Sequence, residues 1–199
     1  MPDYQIPDDV QALIFDCDGT IADTMPLHYE AYRQALGDDA VHLTPEMFYA
    51  MAGVPAVPFM QALKDKYSLS FDAAAVAHYK ENLFGEILHH VKSIESVEKV
   101  IHQYHGKIPM AVASGGTRDN ITRILEHLGL LSLFDCIITA DEVPNGKPEP
   151  DIFLLAARKM GTEPRHCLVF EDADMGIKAA QSAGMHWIDV REHPGNTAQ

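Results

Sequence analysis

Val10-Gln11-Ala12-Leu13-Ile14-Phe15-Asp16-Cys17-Asp18-Gly19-Thr20 runs from a short apolar stretch into two aspartates and a glycine. Residues 10–15 are expected to form a buried strand, because a brief apolar run closed by turn residues has a strand's length. On an extended chain the side chains at i and i+2 share a side, which puts Asp16 and Asp18 together. Gly19 lets the backbone turn without a Cβ clash. Two carboxylates this close repel unless a cation lies between them, and that points to a hard metal with oxygen ligands. A plain capped turn would use the same residues, so spacing alone leaves both readings open. Cys17 stands between two acids that disfavour its thiolate, and it is expected to be a small inward-facing apolar residue.

Along the rest of the chain the same pattern of apolar run, turn and helix repeats. Further strands are expected at 108–113, 136–139, 168–170 and 187–190, with amphipathic helices at 119–128, 151–160 and 173–183. Gly129, Gly161 and Gly184 each follow one of these helices, where a left-handed cap is wanted. Alternating strand and helix implies a three-layer, Rossmann-like α/β core: a parallel sheet with helices on both faces. Between residues 25 and 91 the pattern becomes helical throughout, with segments at 26–36, after Thr44-Pro45-Glu46, at 59–67 and at 71–88. The expected organisation is therefore an α/β core of residues 1–24 and 92–199 with an α-helical cap at 25–91. Parallel sheets carry their sites at the carboxyl ends of the strands, and an insertion there is placed to act as a lid.

The chain's 15 Lys+Arg against 29 Asp+Glu give a net charge of −14. That balance argues against binding to nucleic acid or an anionic membrane surface. No apolar run approaches the roughly 20 residues that span a bilayer, and the acidic start Met1-Pro2-Asp3 lacks the basic n-region of a secretory signal. Three widely spaced cysteines are expected to be reduced thiols of a cytoplasmic protein. Nothing in the sequence suggests an obligate partner, and a monomer is expected. The histidines show no HExxH or Cys/His spacing for zinc, no phosphate-loop or dinucleotide glycine pattern occurs, and Trp187 is expected in the core.

Three further stretches stand at strand ends. Ser114-Gly115-Gly116 offers a hydroxyl and backbone N–H groups to phosphate oxygens, and is also an ordinary strand-to-helix turn. Lys147, in Asn145-Gly146-Lys147-Pro148-Glu149-Pro150, could screen a nucleophile from a phosphate or simply be a loop lysine. Glu171-Asp172 closes a buried strand and could complete a metal shell or decorate a helix N-terminus.

Asp16-x-Asp18-Gly19-Thr20, then Ser114, then Lys147-Pro148, then Glu171-Asp172, each after a strand, resembles in this order the haloacid dehalogenase superfamily of phosphohydrolases. The helical insertion after the first motif is similar to the cap of its β-phosphoglucomutase-like branch. Within that branch, residues 169–177 and the compact cap look most like bacterial fructose-1-phosphate phosphatases. The resemblance implies that Asp16 is the nucleophile and Asp18 the acid and base. It implies that Ser114, Gly115 and Lys147 hold the phosphoryl group. It also implies that Mg²⁺ is bound by Asp16, the Asp18 carbonyl and Asp172, with Glu171 acting nearby through a water.

Phosphomutases of the branch carry Lys-Gly-x-x-Arg at the substrate loop, where this chain has Ala52-Gly53-Val54-Pro55-Ala56. Without those cations a bisphosphate would be held poorly, which favours hydrolysis of a sugar monophosphate over isomerisation. Lys80, His28 and Arg118 match or neighbour positions that face substrate in the family, while Lys80 equally suits a solvated helix face. A β-phosphoglucomutase-type isomerase, a non-catalytic relative and a dehalogenase are the competing expectations.

Overall fold

The computed structural model describes residues 4–192, so the Met1-Pro2-Asp3 start lies outside the described residues. In chain order the elements are β1 (Ala12–Phe15), α1 (Met25–Leu36), α2 (Pro45–Ala50), α3 (Ala56–Tyr67), α4 (Ala73–Ile87) and α5 (Glu95–Tyr104). They continue with β2 (Met110–Ser114), α6 (Arg118–His127), β3 (Cys136–Thr139), α7 (Asp151–Met160), β4 (Cys167–Glu171), α8 (Asp174–Ser182) and β5 (His186–Asp189).

The five strands form one parallel sheet in the order β3-β2-β1-β4-β5. Chain order runs one way from β1 to β3 and the other way from β4, so the topological switch point lies between β1 and β4. Open parallel sheets place their ligand crevice at the carboxyl ends of the strands flanking that point. Here those ends are Asp16 and Glu171-Asp172. β1, β2 and β4 are buried along their whole length, which is why they read as unbroken apolar runs. Phe15 and Phe170 are register partners whose rings stack 4.8 Å apart, fixing the two strands just before their acidic ends. α7 packs Ile152, Phe153, Ala156 and Ala157 into the sheet's apolar cluster.

The chain divides into two units, one running up to Asp23 and resuming at Lys92, the other being Thr24–Val91. The Asp23 N–H donates to the Lys92 carbonyl at 2.8 Å, so the points where the chain leaves and rejoins the sheet unit are adjacent. The second unit is α1 to α4 around its own core of Tyr32, Leu36, Phe48, Phe59, Met60 and Leu63. Thr44 caps α2 by accepting from Met47 N, and Asp72 caps α4 by accepting from Ala75 N.

Two expectations change. The strand at 108–113 begins at Met110, because Pro109 has no N–H to donate to the ladder. Trp187 is not core. β5 pairs with β4 alone, its side chains have neighbours on one flank only, and Trp187 remains 41% exposed.

Candidate active site

The backbone curls as soon as β1 ends. The Cys17 carbonyl accepts from the N–H groups of Ile21 and Ala22 at 3.0 and 2.9 Å, and Gly19 turns with φ of 83°. A Cβ at Gly19 would stand 2.2 Å from Asp172 Oδ2, so glycine is required both for the turn and for the close approach of that carboxylate. Thr20, fully buried, donates its hydroxyl to Asp172 Oδ1 at 3.1 Å. This turn therefore holds Asp172 as well as presenting Asp16 and Asp18. Cys17 is buried between them, and burial followed by the Asp18 and Asp16 charges pushes its thiol pKa well up, which removes it as a nucleophile.

Lys147 is the centre of the charge arrangement. Its ammonium donates to Asp16 Oδ1 at 2.6 Å and to Glu171 Oε1 at 2.7 Å, and lies 5.1 Å over the Phe153 ring. Burial disfavours the charged amine, but the Asp16 and Glu171 charges and hydrogen bonds outweigh it and hold Lys147 firmly protonated. The other Glu171 oxygen accepts from Ala173 N at 2.6 Å, so both of its oxygens are engaged. Ser114 donates to Asp18 Oδ2 at 3.4 Å and accepts from Gly116 N at 3.1 Å, which brings the Ser-Gly-Gly turn against the first motif. Ser114, Asp18, Asp16, Lys147, Glu171 and Asp172 thus form one cluster, drawn from the ends of β1, β2 and β4 and the loop before α7.

A second close approach supports this cluster. A Cβ on Gly176 would fall 1.7 Å from Glu171 Oε1, the oxygen that holds Lys147. Gly176→Ala is expected to displace the Glu171 carboxylate and destabilise the protein by about 1–3 kcal/mol, as overpacking does. At this chain length that lowers the melting temperature by several degrees. Thermal unfolding measures it, and an unchanged midpoint would show that the site absorbs the methyl group.

The donor chemistry fits a hard divalent cation. Burial is the largest influence raising the Asp16 pKa; Lys147 opposes it, and Glu171, Asp172 and Asp18 raise it further. Asp172 is likewise pushed up to about 7, by burial and then by the Glu171 charge. One ammonium does not offset these carboxylates, whereas oxygen-rich negative clusters are what Mg²⁺ takes. Among the described residues no three carboxylate, imidazole or thiol side chains are grouped so as to hold a metal. A cation here must therefore draw on backbone carbonyls and water, as Mg²⁺ ordinarily does.

Comparison with known proteins identifies the family. The family model of haloacid dehalogenase-like hydrolases matches residues 10–184. The chain belongs to that family. It is 42% identical over 180 residues to the fructose-1-phosphate phosphatase YqaB of Escherichia coli K12, covering 90% of this chain and 95% of the relative. It is 34% identical to a phosphorylated carbohydrates phosphatase of Thermotoga maritima, covering 90% and 84% of the two chains. Among solved structures, a β-phosphoglucomutase from Clostridium difficile superposes with a TM-score of 0.77 at 28% identity, covering 89% and 83%. The protein is accordingly a haloacid dehalogenase-type phosphoric monoester hydrolase.

The remaining candidates of this haloacid dehalogenase-like chain have other surroundings. Lys80 of α4 is not on a solvated helix face: it is 2% exposed, donates to His28 Nδ1 at 2.8 Å and to Glu81 at 2.9 Å, and lies over the Tyr32 and Phe84 rings. An ammonium can only donate, so the Nδ1 of His28 is the acceptor and a neutral His28 carries its proton on Nε2. The His28 ring stacks on Phe84 at 3.8 Å. Arg118 points its guanidinium to the Ile137 carbonyl at 2.8 Å and to Glu142. Gly115 has open space where a Cβ would be, so no close approach demands glycine there. Sequence reasoning missed Thr20 and Gly176 as supports of the site, although both lie inside the quoted motifs. It also missed Glu142, which no motif marks.

Proposed function

We propose that this hydrolase releases phosphate from a small sugar phosphate, with fructose 1-phosphate the first substrate to test, through an aspartyl-phosphate on Asp16. The observation that carries the reading is the Lys147 ammonium 2.6 Å from Asp16 Oδ1 and 2.7 Å from Glu171 Oε1, with Asp18 hydrogen-bonded to Ser114 alongside. In the first step a carboxylate oxygen of Asp16 attacks phosphorus, the bond from phosphorus to the sugar oxygen breaks, and Asp18 gives that oxygen its proton. In the second, Asp18 takes a proton from water, the water oxygen attacks phosphorus, and the bond to Asp16 breaks to release inorganic phosphate. Lys147 and Ser114 hold the phosphoryl oxygens throughout, since phosphoryl transfer needs positioning and charge compensation above all.

Mg²⁺ would be held by Asp16, the Asp18 carbonyl and Asp172, and would supply positive charge against the phosphoryl oxygens. Glu171, with both oxygens engaged, suits a place behind a water and not against the ion. Within the helical unit, Lys80 and His28 form a hydrogen-bonded pair 2.8 Å apart. No helix among the described residues is long and apolar enough to cross a membrane. The three cysteines are free, which supports a reducing compartment such as the cytoplasm.

Structural likeness to a β-phosphoglucomutase keeps isomerisation as the second reading. Ala52 and Ala56 stand where the mutase cations would be, and this favours water as the acceptor. The test is a panel of sugar monophosphates with Mg²⁺, in which released phosphate and sugar-phosphate isomers are measured together. We expect phosphate release with fructose 1-phosphate among the best substrates. Glucose 6-phosphate formed from β-glucose 1-phosphate without net release would replace the phosphatase with the mutase.

A further inference from the structure

Glu142 lies on the last turn after β3, directly before the loop 143–150 that carries Lys147. Its Oε1 accepts from the Thr139 N–H at 3.0 Å and pairs with Arg118, while Oε2 accepts from Lys159 Nζ at 2.9 Å. Arg118 also donates to the Ile137 carbonyl at 2.8 Å. These partners come from different pieces of the site's framework. Ile137 lies within β3 and Thr139 ends it, and Thr139 is the register partner of Ser114. Arg118 opens α6, directly after the Ser114-Gly115-Gly116-Thr117 turn. Lys159 sits in the last turn of α7, the helix that leaves the Lys147 loop and lays Phe153 against the Lys147 ammonium.

One carboxylate therefore joins the start of the Lys147 loop, the helix at that loop's end and the residue after the phosphate turn. Asn145 donates to Asp151 at 2.9 Å across the loop, and Val143 packs on the sheet's apolar cluster, so the loop is closed on both sides of this anchor. The charges also suit their places. Lys159 faces a helix C-terminus favourably, whereas Arg118 at a helix N-terminus needs an anion, which Glu142 supplies.

We propose that Glu142 is a positioning residue for catalysis: together with Arg118 and Lys159 it fixes the Lys147 loop and the Ser114 turn in register. This rests on the assignment of Lys147 and Ser114 to the phosphoryl group. The partners are partly exposed, with side-chain exposures of 46% for Arg118, 40% for Lys159 and 26% for Glu142, so their pairing contributes little to global stability. Its effect falls instead on placement, where a shift of about 1 Å can change a rate on the order of a hundredfold. Burial works to raise the Glu142 carboxyl, but hydrogen bonds from Lys159, Thr139 and Arg118 and the Arg118 charge hold it at about 2. Below its unfolded range, near 4.5, the anchor's contribution fades as the pH falls toward 2. Above that range the anchor is fully present, so its removal acts equally at every neutral assay pH.

The experiment compares wild type, Glu142→Gln, Arg118→Gln and the double variant, with Arg165→Gln as a surface control. Two measurements are made: hydrogen exchange of segment 143–150, and kcat and KM on the substrate the panel identifies. We expect Glu142→Gln to speed exchange in 143–150 by roughly fivefold or more with the melting temperature within a few degrees of wild type. We expect kcat to fall about 10- to 100-fold with KM within about threefold, by loss of placement alone. The double variant should be no worse than Glu142→Gln, because the two residues act as one unit. Unchanged exchange in 143–150 overturns the proposal whether or not the wild type turns over the panel, which separates its failure from failure of the substrate reading. It is equally overturned by an unchanged kcat, or by kcat, KM and melting temperature falling together with exchange rising throughout the sheet unit. If Arg118→Gln raises KM and leaves kcat alone, Arg118 contacts substrate and does not serve Glu142.

Discussion

Asp16→Asn is expected to abolish turnover, lowering kcat by at least about ten-thousand-fold, because an amide oxygen cannot replace the attacking carboxylate. The fold should survive the change, and for a specific electrostatic reason. Burial raises the Asp16 pKa well above its ordinary value, and the Glu171, Asp172 and Asp18 charges add to that against the opposition of Lys147. A carboxyl whose pKa is higher in the folded state than in the unfolded state destabilises the fold at every pH where the unfolded group is ionised. Replacing it by a neutral isostere relieves that term at pH 7 while Lys147 keeps Glu171 as its buried partner, so the metal-free melting temperature should stay level or rise. Circular dichroism melts and a single-turnover assay check both halves. Near-normal activity in the variant would exclude Asp16 as nucleophile, and a large fall in melting temperature would overturn the electrostatic account.

Lys147→Met should act in the opposite sense on stability. It preserves length and the contact with Phe153 but removes the cation that Asp16 and Glu171 share. The side chain of Glu171 is only 1% exposed and that of Asp16 8% exposed, so neither can recover the interaction from bulk water. Breaking a buried ion pair from one side typically destabilises by about 3–5 kcal/mol. For a chain of this size that corresponds to roughly 10 °C in melting temperature. We also expect kcat to drop on the order of a thousandfold, as losing a fixed charge at a developing transition state does. Thermal unfolding and steady-state kinetics on the same preparation measure the two effects. A variant that melts like wild type would show that Lys147 is not the main compensating charge of the cluster.

Much of the fold was legible in the chain because its signals are local. Strands buried on both faces read as unbroken apolar runs, and a glycine stands just past several helices. The periodicity becomes purely helical between residues 25 and 91, and Thr24–Val91 is one of the two compact units. The Asp16, Ser114, Lys147 and Glu171-Asp172 motifs were legible for a related reason, since each stands at the carboxyl end of a strand or in the loop before a helix. Trp187 was misplaced because apolar character does not tell which strand ends at the edge of a sheet.

The sequence by itself determined where along the chain the candidate residues stand, through periodicity, turn residues and motif order acting over a few residues at a time. Only the tertiary structure decided how they are joined. Lys147 meets Asp16 across 131 positions of sequence, and Thr20 meets Asp172 across 152. No local pattern encodes such distances; they follow from a strand order that sets β1 between β2 and β4. The same packing closes Glu171 over Gly176 and turns the Arg118 head toward Glu142, because the positions of charges are settled by what is buried beside them.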